Sequence, residues 1–104
     1  MSRMILATVH SLNNVPIRLT EERWEHIVDA HPYMTRYYED LLDAVYNPEY
    51  IFPGHRGSLI AVVMLSKKRI LHVMYRELSR DDGFIITAYI KTSFDKKKRL
   101  WPRD

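Results

Sequence analysis

The chain has 104 residues, 46% of them hydrophobic, 28% charged and none a cysteine. That length suits one domain with a modest core, the composition excludes a disordered chain, and the missing cysteines exclude disulfides and thiolate metal sites. The net charge of +3 hides an asymmetry: residues 1–53 hold four Lys/Arg against eight Asp/Glu, and residues 54–104 hold twelve against five. A basic half suits a polyanionic partner, most simply nucleic acid, although surface lysines also serve solubility.

In chain order, "RMILATV" (3–9) reads as a strand or an arm, and "NNVPI" as a turn leading into the first helix. The N-terminus lacks the apolar core and small-residue cleavage pattern of a signal peptide. No apolar run approaches the roughly 20 residues of a membrane span. A soluble, cytoplasmic protein without membrane contact is expected.

"RLTEERWEHIVDAHP" (18–32) predicts an amphipathic helix. Thr20 suits the N-cap, Glu21 and Glu22 the positive end of the helix dipole, and Leu19 and Trp24 a hydrophobic staple. Trp24, Ile27, Val28 and His31 form one apolar stripe. A histidine thus closes the inward stripe, and Pro32 disfavours helical geometry at His31 itself. A second helix is predicted over about Tyr37 to Tyr46, with Tyr38, Leu41, Leu42 and Val45 as its stripe and Asn47-Pro48 as its stop.

The pattern then changes to strands. "EYIFPG" fits an edge strand because of Pro53. "GSLIAVVML", the turn "SKKR", "ILHVMYREL", the loop "SRDDG" and "FIITAYIKTS" read as an antiparallel meander. The tail "DKKKRLWPRD" is basic and expected to be ordered only in part. The expectation is one α+β domain over 1–104, with a core region of about 17–93, a basic tail from 94, and two N-terminal helices preceding the strands.

Strand parity assigns faces. In the last strand Phe84, Ile86, Ala88 and Ile90 share one side, and Ile85, Thr87, Tyr89 and Lys91 the other. In the strand before it Leu71, Val73 and Tyr75 alternate with His72, Met74 and Arg76. A turn at Lys67-Lys68 would place Ile60, Val62 and Met64 with Leu71, Val73 and Tyr75 under the helices. His72, Arg76, Thr87, Tyr89 and Lys91 would then gather on the opposite face. The expected core contains Trp24, Ile27, Val28, Leu41, Leu42, Val45, Val62, Val73 and Ile86.

Several chemistries lack their residues. None of the three glycines sits in a phosphate-loop or dinucleotide spacing. His26 and His31 lie about 140° apart on a helix and do not share one metal. No cysteine or G-x-S-x-G nucleophile is present, and neither a metal nor another cofactor is expected. What remains is a set of cationic and hydroxyl groups. Such a set suits RNA cleavage by the RNA's own 2′-hydroxyl, in which a base and an acid move two protons and cations hold the phosphorane. His titrates near neutrality, Arg and Lys clamp phosphate, and Tyr stacks a base.

The run "LTEERWEHIVDAHP", a second helix ending "NPEYI", a strand ending "HVMYRE" and then "GFIITAYIKTS" resemble the phage-associated nucleases of the barnase–EndoU–colicin–RelE fold group. The resemblance covers roughly 18–93 and is carried best by His31-Pro32 and by Gly83 with Thr87-Ala88-Tyr89. It implies a metal-independent ribonuclease, often a toxin, built as two helices on a four-stranded antiparallel sheet. It also implies an acidic inhibitor protein as a partner beside RNA. It implicates His31 and Thr87 first and Tyr89 next. It does not choose the basic strand residue among Arg56, His72 and Arg76. Lys91, His55 and Arg56 are candidates for binding substrate.

Each candidate also has a plain structural role. His31 would favourably cap a helix C-terminus, Thr87 is a natural strand residue, and Tyr89 could serve sheet packing. His72, Arg76 and Lys91 could be solvated strand positions, and His55 and Arg56 a mobile loop between Gly54 and Gly57. A non-catalytic nucleic-acid-binding module and a protein-interaction module using the same face are the alternatives to an enzyme.

Overall fold

Val15, Ile17 and Leu19 alternate with Pro16, Arg18 and Thr20, the two-residue period of a strand. In the computed structural model, which describes residues 4–103, that alternation prevails over the turn expected at "NNVPI". Pro16–Thr20 is a strand (β2) paired antiparallel with Ile5–His10 (β1). Proline is tolerated there because it opens the strand. Arg3, where the expected N-terminal segment begins, and Asp104, the last residue of the tail, lie outside the described residues.

Two helices follow. α1 spans Glu21–Ala30, with Thr20 Oγ1 accepting the Arg23 N–H at 3.2 Å as the N-cap. α2 spans Tyr38–Tyr46, and a 3₁₀ segment over Pro32–Tyr37 joins them. The remaining strands are Tyr50–Pro53 (β3), Leu59–Ser66 (β4), Arg69–Ser79 (β5) and Asp82–Lys91 (β6). They form one sheet of order β1-β2-β6-β5-β4-β3. All neighbours are antiparallel except β2 and β6, which run parallel through Ile17–Gly83 and Arg18–Phe84. The fold is therefore α+β, but not the expected one. A six-stranded mixed sheet replaces the four-stranded antiparallel sheet, and two strands precede the helices.

The helices cover one face of the sheet. Ile27, Met34, Leu41 and Val45 meet Leu71, Val73, Tyr75, Ile85 and Ala88 there, all buried. Ile17 and Leu19 of β2 complete this core. Trp24 and Val28 are only half-buried. The Trp24 ring stands edge-on to Tyr38, centroids 5.1 Å apart, at the border of the core instead of inside it.

Two bulges change the expected faces. Met64 pairs Ile70 and Ser66 pairs Arg69, leaving Leu65 as an extra residue. The inserted residue shifts the register by one. Val63, Ala61 and Leu59 therefore pair Leu71, Val73 and Tyr75, and Ile60, Val62 and Met64 turn to the face away from the helices. In β6, Met74 pairs Thr87 and Tyr75 pairs Ile85, leaving Ile86 extra. Ile85 is buried in the core where Ile86 was expected, Ile86 is half-buried, and Phe84 joins the far face opposite Arg76.

That far face carries a second apolar cluster. Phe52, Val62 and Ile70 are buried there, with Tyr50, Ile60 and Phe94 packed on them. Phe94 belongs to the basic tail and lies 5.1 Å from the Tyr50 ring and 5.8 Å from Phe52. Farther on, the tail adds to the outer edge of β3: the Ile51 N–H donates to Trp101 O at 2.9 Å and the Leu100 N–H to Ile51 O at 2.6 Å. The tail, expected to be ordered in part, is docked along the β3 edge by the packing of Phe94 on Tyr50 and Phe52 and by the backbone bridge between Trp101 and Ile51. Among the described residues no helix is long and apolar enough to cross a membrane.

Candidate functional site

The β5–β6 half of the far face is built from paired residues. Ile70 opposes Lys91, His72 opposes Tyr89, Met74 opposes Thr87, and Arg76 opposes Phe84. Directly opposed side chains point to the same face. His72, Arg76, Thr87, Tyr89 and Lys91 therefore share it, and the Ile86 bulge lies beyond Thr87 and leaves their phase intact.

Tyr89 is the centre of the group. Its ring stacks on His72 with centroids 5.2 Å apart and planes at 20°. Lys91 Nζ stands 5.5 Å from the ring centroid, and the His31 ring is 6.1 Å away on another side. Thr87 follows two residues along β6 on the same face.

His72 is 6% exposed. Its Nδ1 lies 3.0 Å from the Ile70 carbonyl oxygen, which can only accept, so Nδ1 carries the hydrogen. Burial pushes its pKa below the ordinary 6.5; the Ile70 carbonyl opposes that shift and the nearby Lys91 charge adds to it. A neutral imidazole with a bare Nε2 results, which is the form of a base. Burial also raises the Tyr89 hydroxyl above its usual 10.0, so it stays a proton donor.

His31 reaches this group because of how β2 ends. Beyond Phe84, β6 has no strand partner on the β2 side among the described residues. The chain turns into α1 instead, and the end of that helix brings His31 back to the rim. The His31 backbone is held at both ends: its N–H donates to Ile27 O and its carbonyl accepts the Met34 N–H, both at 2.8 Å. Its side chain is held as well. Nδ1 lies 3.3 Å from Tyr33 Oη, and the same hydroxyl oxygen accepts the Ile90 N–H at 3.1 Å. Nothing in the spacing of the sequence singles out Tyr33, because the amide that holds its hydroxyl, Ile90, lies on β6, more than fifty positions away.

Arg76 and the loop stand apart. Two further alternations along β5 place the Arg76 Cα about 13 Å from that of His72. Arg76 Nη2 donates to the Arg56 carbonyl at 2.7 Å, while its buried Nε has no hydrogen-bond partner. Arg56 holds a left-handed backbone, φ 52° and ψ 43°, in the 3₁₀ turn His55–Gly57. His55 is exposed in that turn. The structure thus joins His31, His72, Tyr89 and Lys91, with Thr87 alongside. It leaves Arg76, Arg56 and His55 as a second cluster toward the other end of the sheet.

A cleft of about 250 Å³ opens over His72, Tyr89 and Lys91, and the tail supplies a wall through Phe94, Asp95 and Lys98. The tail's part in the cleft was not legible in a run of lysines. A depression of about 340 Å³ between α2 and β4 is lined by Asp40 and Asp43 and has the wrong charge for an anion. Among the described residues no three His, Cys, Asp or Glu side chains gather as a metal ion would need. No family model, no curated protein and no solved structure matches the chain. The chemistry therefore rests on the site's own geometry: a neutral base, a second imidazole at the rim, two hydroxyl groups and a cation around one aromatic ring.

Proposed function

We propose that the chain is a metal-independent endoribonuclease, of the toxin kind that its resemblance to phage-associated nucleases implies. The observation that carries the reading is the pair His31 and His72 flanking the Tyr89 ring, with Lys91 Nζ 5.5 Å from its centroid. His72, kept neutral by burial, takes the proton of the 2′-hydroxyl as its oxygen attacks phosphorus. The bond from phosphorus to the 5′-oxygen breaks, and His31 gives that oxygen a proton. Lys91 and the Tyr89 and Thr87 hydroxyls stabilise the charged phosphorane. The products are a 2′,3′-cyclic phosphate and a 5′-hydroxyl. Arg76, Arg56 and His55 hold the chain farther along the sheet. An acidic inhibitor protein would complement the same basic face. The departure of the sheet from the four-stranded pattern leaves this reading resting on the site.

The test is RNA cleavage in excess EDTA by wild type, His31→Ala and Thr87→Ala, each checked for folding by circular dichroism. His31→Ala is expected to lower cleavage roughly 10²–10⁴-fold with the fold intact, as for loss of a proton-transfer group. Wild-type protein that binds RNA but leaves it whole would establish a binding module in place of an enzyme.

A further inference from the structure

The end of β6 separates two concave surfaces. On one side lies the cleft over His72 and Tyr89. On the other, toward the helix layer, Tyr33, Arg36, Tyr37, Arg69 and Ile90 line a groove of about 330 Å³. Tyr33 joins the two, since its hydroxyl is tied to both Ile90 N–H and His31 Nδ1.

The groove is cationic and aromatic. Arg36 and Arg69 are both exposed. Neither forms an ion pair among the described residues, where the Arg18–Asp82 and His26–Glu22 pairs are found instead. Arg69 Nη1 approaches only the Tyr37 hydroxyl, at 3.5 Å. Two guanidinium groups without carboxylates, in one groove with two phenol rings, form an arrangement that attracts an anion bearing a flat ring. Arginine forks bind phosphate oxygens in pairs, and tyrosine rings take a base by stacking. The rings are held in advance: Tyr33 by the Ile90 amide, and Tyr37 by packing against the core. A single-stranded nucleotide fits this chemistry. A helical duplex does not, because its bases are already stacked on one another.

We infer that this groove is a second subsite for single-stranded RNA, taking the nucleotide next to the cleaved bond, its base against Tyr33 or Tyr37 and its phosphate between Arg36 and Arg69. The inference rests on the ribonuclease reading for the position of that bond. The strand would pass from the groove, across the rim at His31, into the cleft beside Lys91.

The probe is a fluorescein-labelled single-stranded RNA with 2′-O-methyl groups, which cannot be cleaved by its own 2′-hydroxyl. Fluorescence anisotropy gives Kd for wild type, for Arg36→Ala/Arg69→Ala and for Arg23→Ala/Arg80→Ala. The third protein loses the same charge away from the groove. The groove variant is expected to bind about 10-fold or more weakly, since it loses charge-assisted hydrogen bonds, and the control to stay within about two-fold. Equal loss in both double variants, or none in the groove variant, overturns the subsite while leaving EDTA-resistant cleavage untouched. Wild-type binding that depends on Arg36 and Arg69 without any cleavage would keep the groove and remove the nuclease reading. Absence of wild-type binding would remove the groove.

Discussion

His72 and Tyr33 show how single atoms set the state of the candidate site. His72 titrates at an ordinary 6.5 when unfolded and lower in the fold, where burial disfavours its charge. As pH falls below 6.5 the unfolded chain binds the proton first, and stability rises with pH wherever the unfolded state binds more protons. The contribution is therefore complete above 6.5 and lost from there down toward the lowered value. His72→Gln keeps a donor toward Ile70 and removes the titration. Its melting temperature should vary less than wild type's between pH 6.5 and 5; parallel curves would show that the ring does not matter. Tyr33→Phe removes the hydroxyl that Ile90 and His31 share. It is expected to cost about 1 kcal/mol of stability, as for one lost hydrogen bond, and to slow RNA cleavage by leaving the His31 ring unheld. Tyr33→Leu should slow cleavage as far; a wild-type rate in Tyr33→Phe with a loss only in Tyr33→Leu would mean that the ring only packs. At this scale the sequence was legible where local chemistry acts alone. Thr20 as a cap and the unusual end of the helix at His31-Pro32 follow from neighbours in the chain. Tyr33 was not legible, because its role depends on an amide of β6 that only the fold brings near.

Among the elements, the joint between β2 and β6 is the one the sequence concealed. "PIRLT" is five residues long, begins with proline and runs straight into a capped helix, so its period-2 pattern was overshadowed by the helix-start signal. The joint has a steric signature at Gly83. A Cβ there would stand 2.5 Å from Ile17 Cδ1 and 2.6 Å from the Arg76 carbonyl oxygen. Arg18 braces the same place by pairing with Asp82 and donating to the Gly83 carbonyl. Gly83→Ala is therefore expected to cost at least 1–3 kcal/mol, roughly the cost of overpacking, and to loosen β1 and β2 before the rest. Urea denaturation gives the cost, and amide exchange in β1 and β2 gives the location; an unchanged midpoint would contradict the close approach. The two bulges were hidden for another reason. Leu65 and Ile86 lie in runs that are apolar at successive positions, so a one-residue slip still offers a hydrophobic side chain to the core. The polar phase at Thr87, Tyr89 and Lys91 has no such tolerance, and there parity held through to the structure.

Across the whole molecule the charge asymmetry read along the chain becomes an asymmetry in space. Seven of the eight acids of residues 1–53 lie on α1 and α2, and both helices cover one face of the sheet. Lys91, Arg76 and Arg56 belong to the other side, and Lys96, Lys97 and Lys98 follow on the tail that walls the cleft. A polyanion is thus repelled by the acidic residues of α1 and α2 and drawn to the candidate site and to the Arg36–Arg69 groove at its rim, which favours oriented encounter. If about three phosphates are neutralised there, the logarithm of RNA affinity should fall with that of salt at a slope near −2, so affinity should drop roughly 20-fold between 50 and 200 mM. Lys91→Ala should flatten that slope by about one phosphate contact and weaken binding similarly for different sequences, as a backbone contact does. Neutralising Glu25 and Asp29 on α1 should raise affinity, because Asp29 stands two residues before His31 at the rim of the site and its carboxylate repels the phosphate chain. Titrations of uncleavable single-stranded RNA at four salt concentrations measure all three slopes. A wild-type affinity indifferent to salt would mean that the basic face does not receive the phosphate chain, and would count against the RNA reading as a whole.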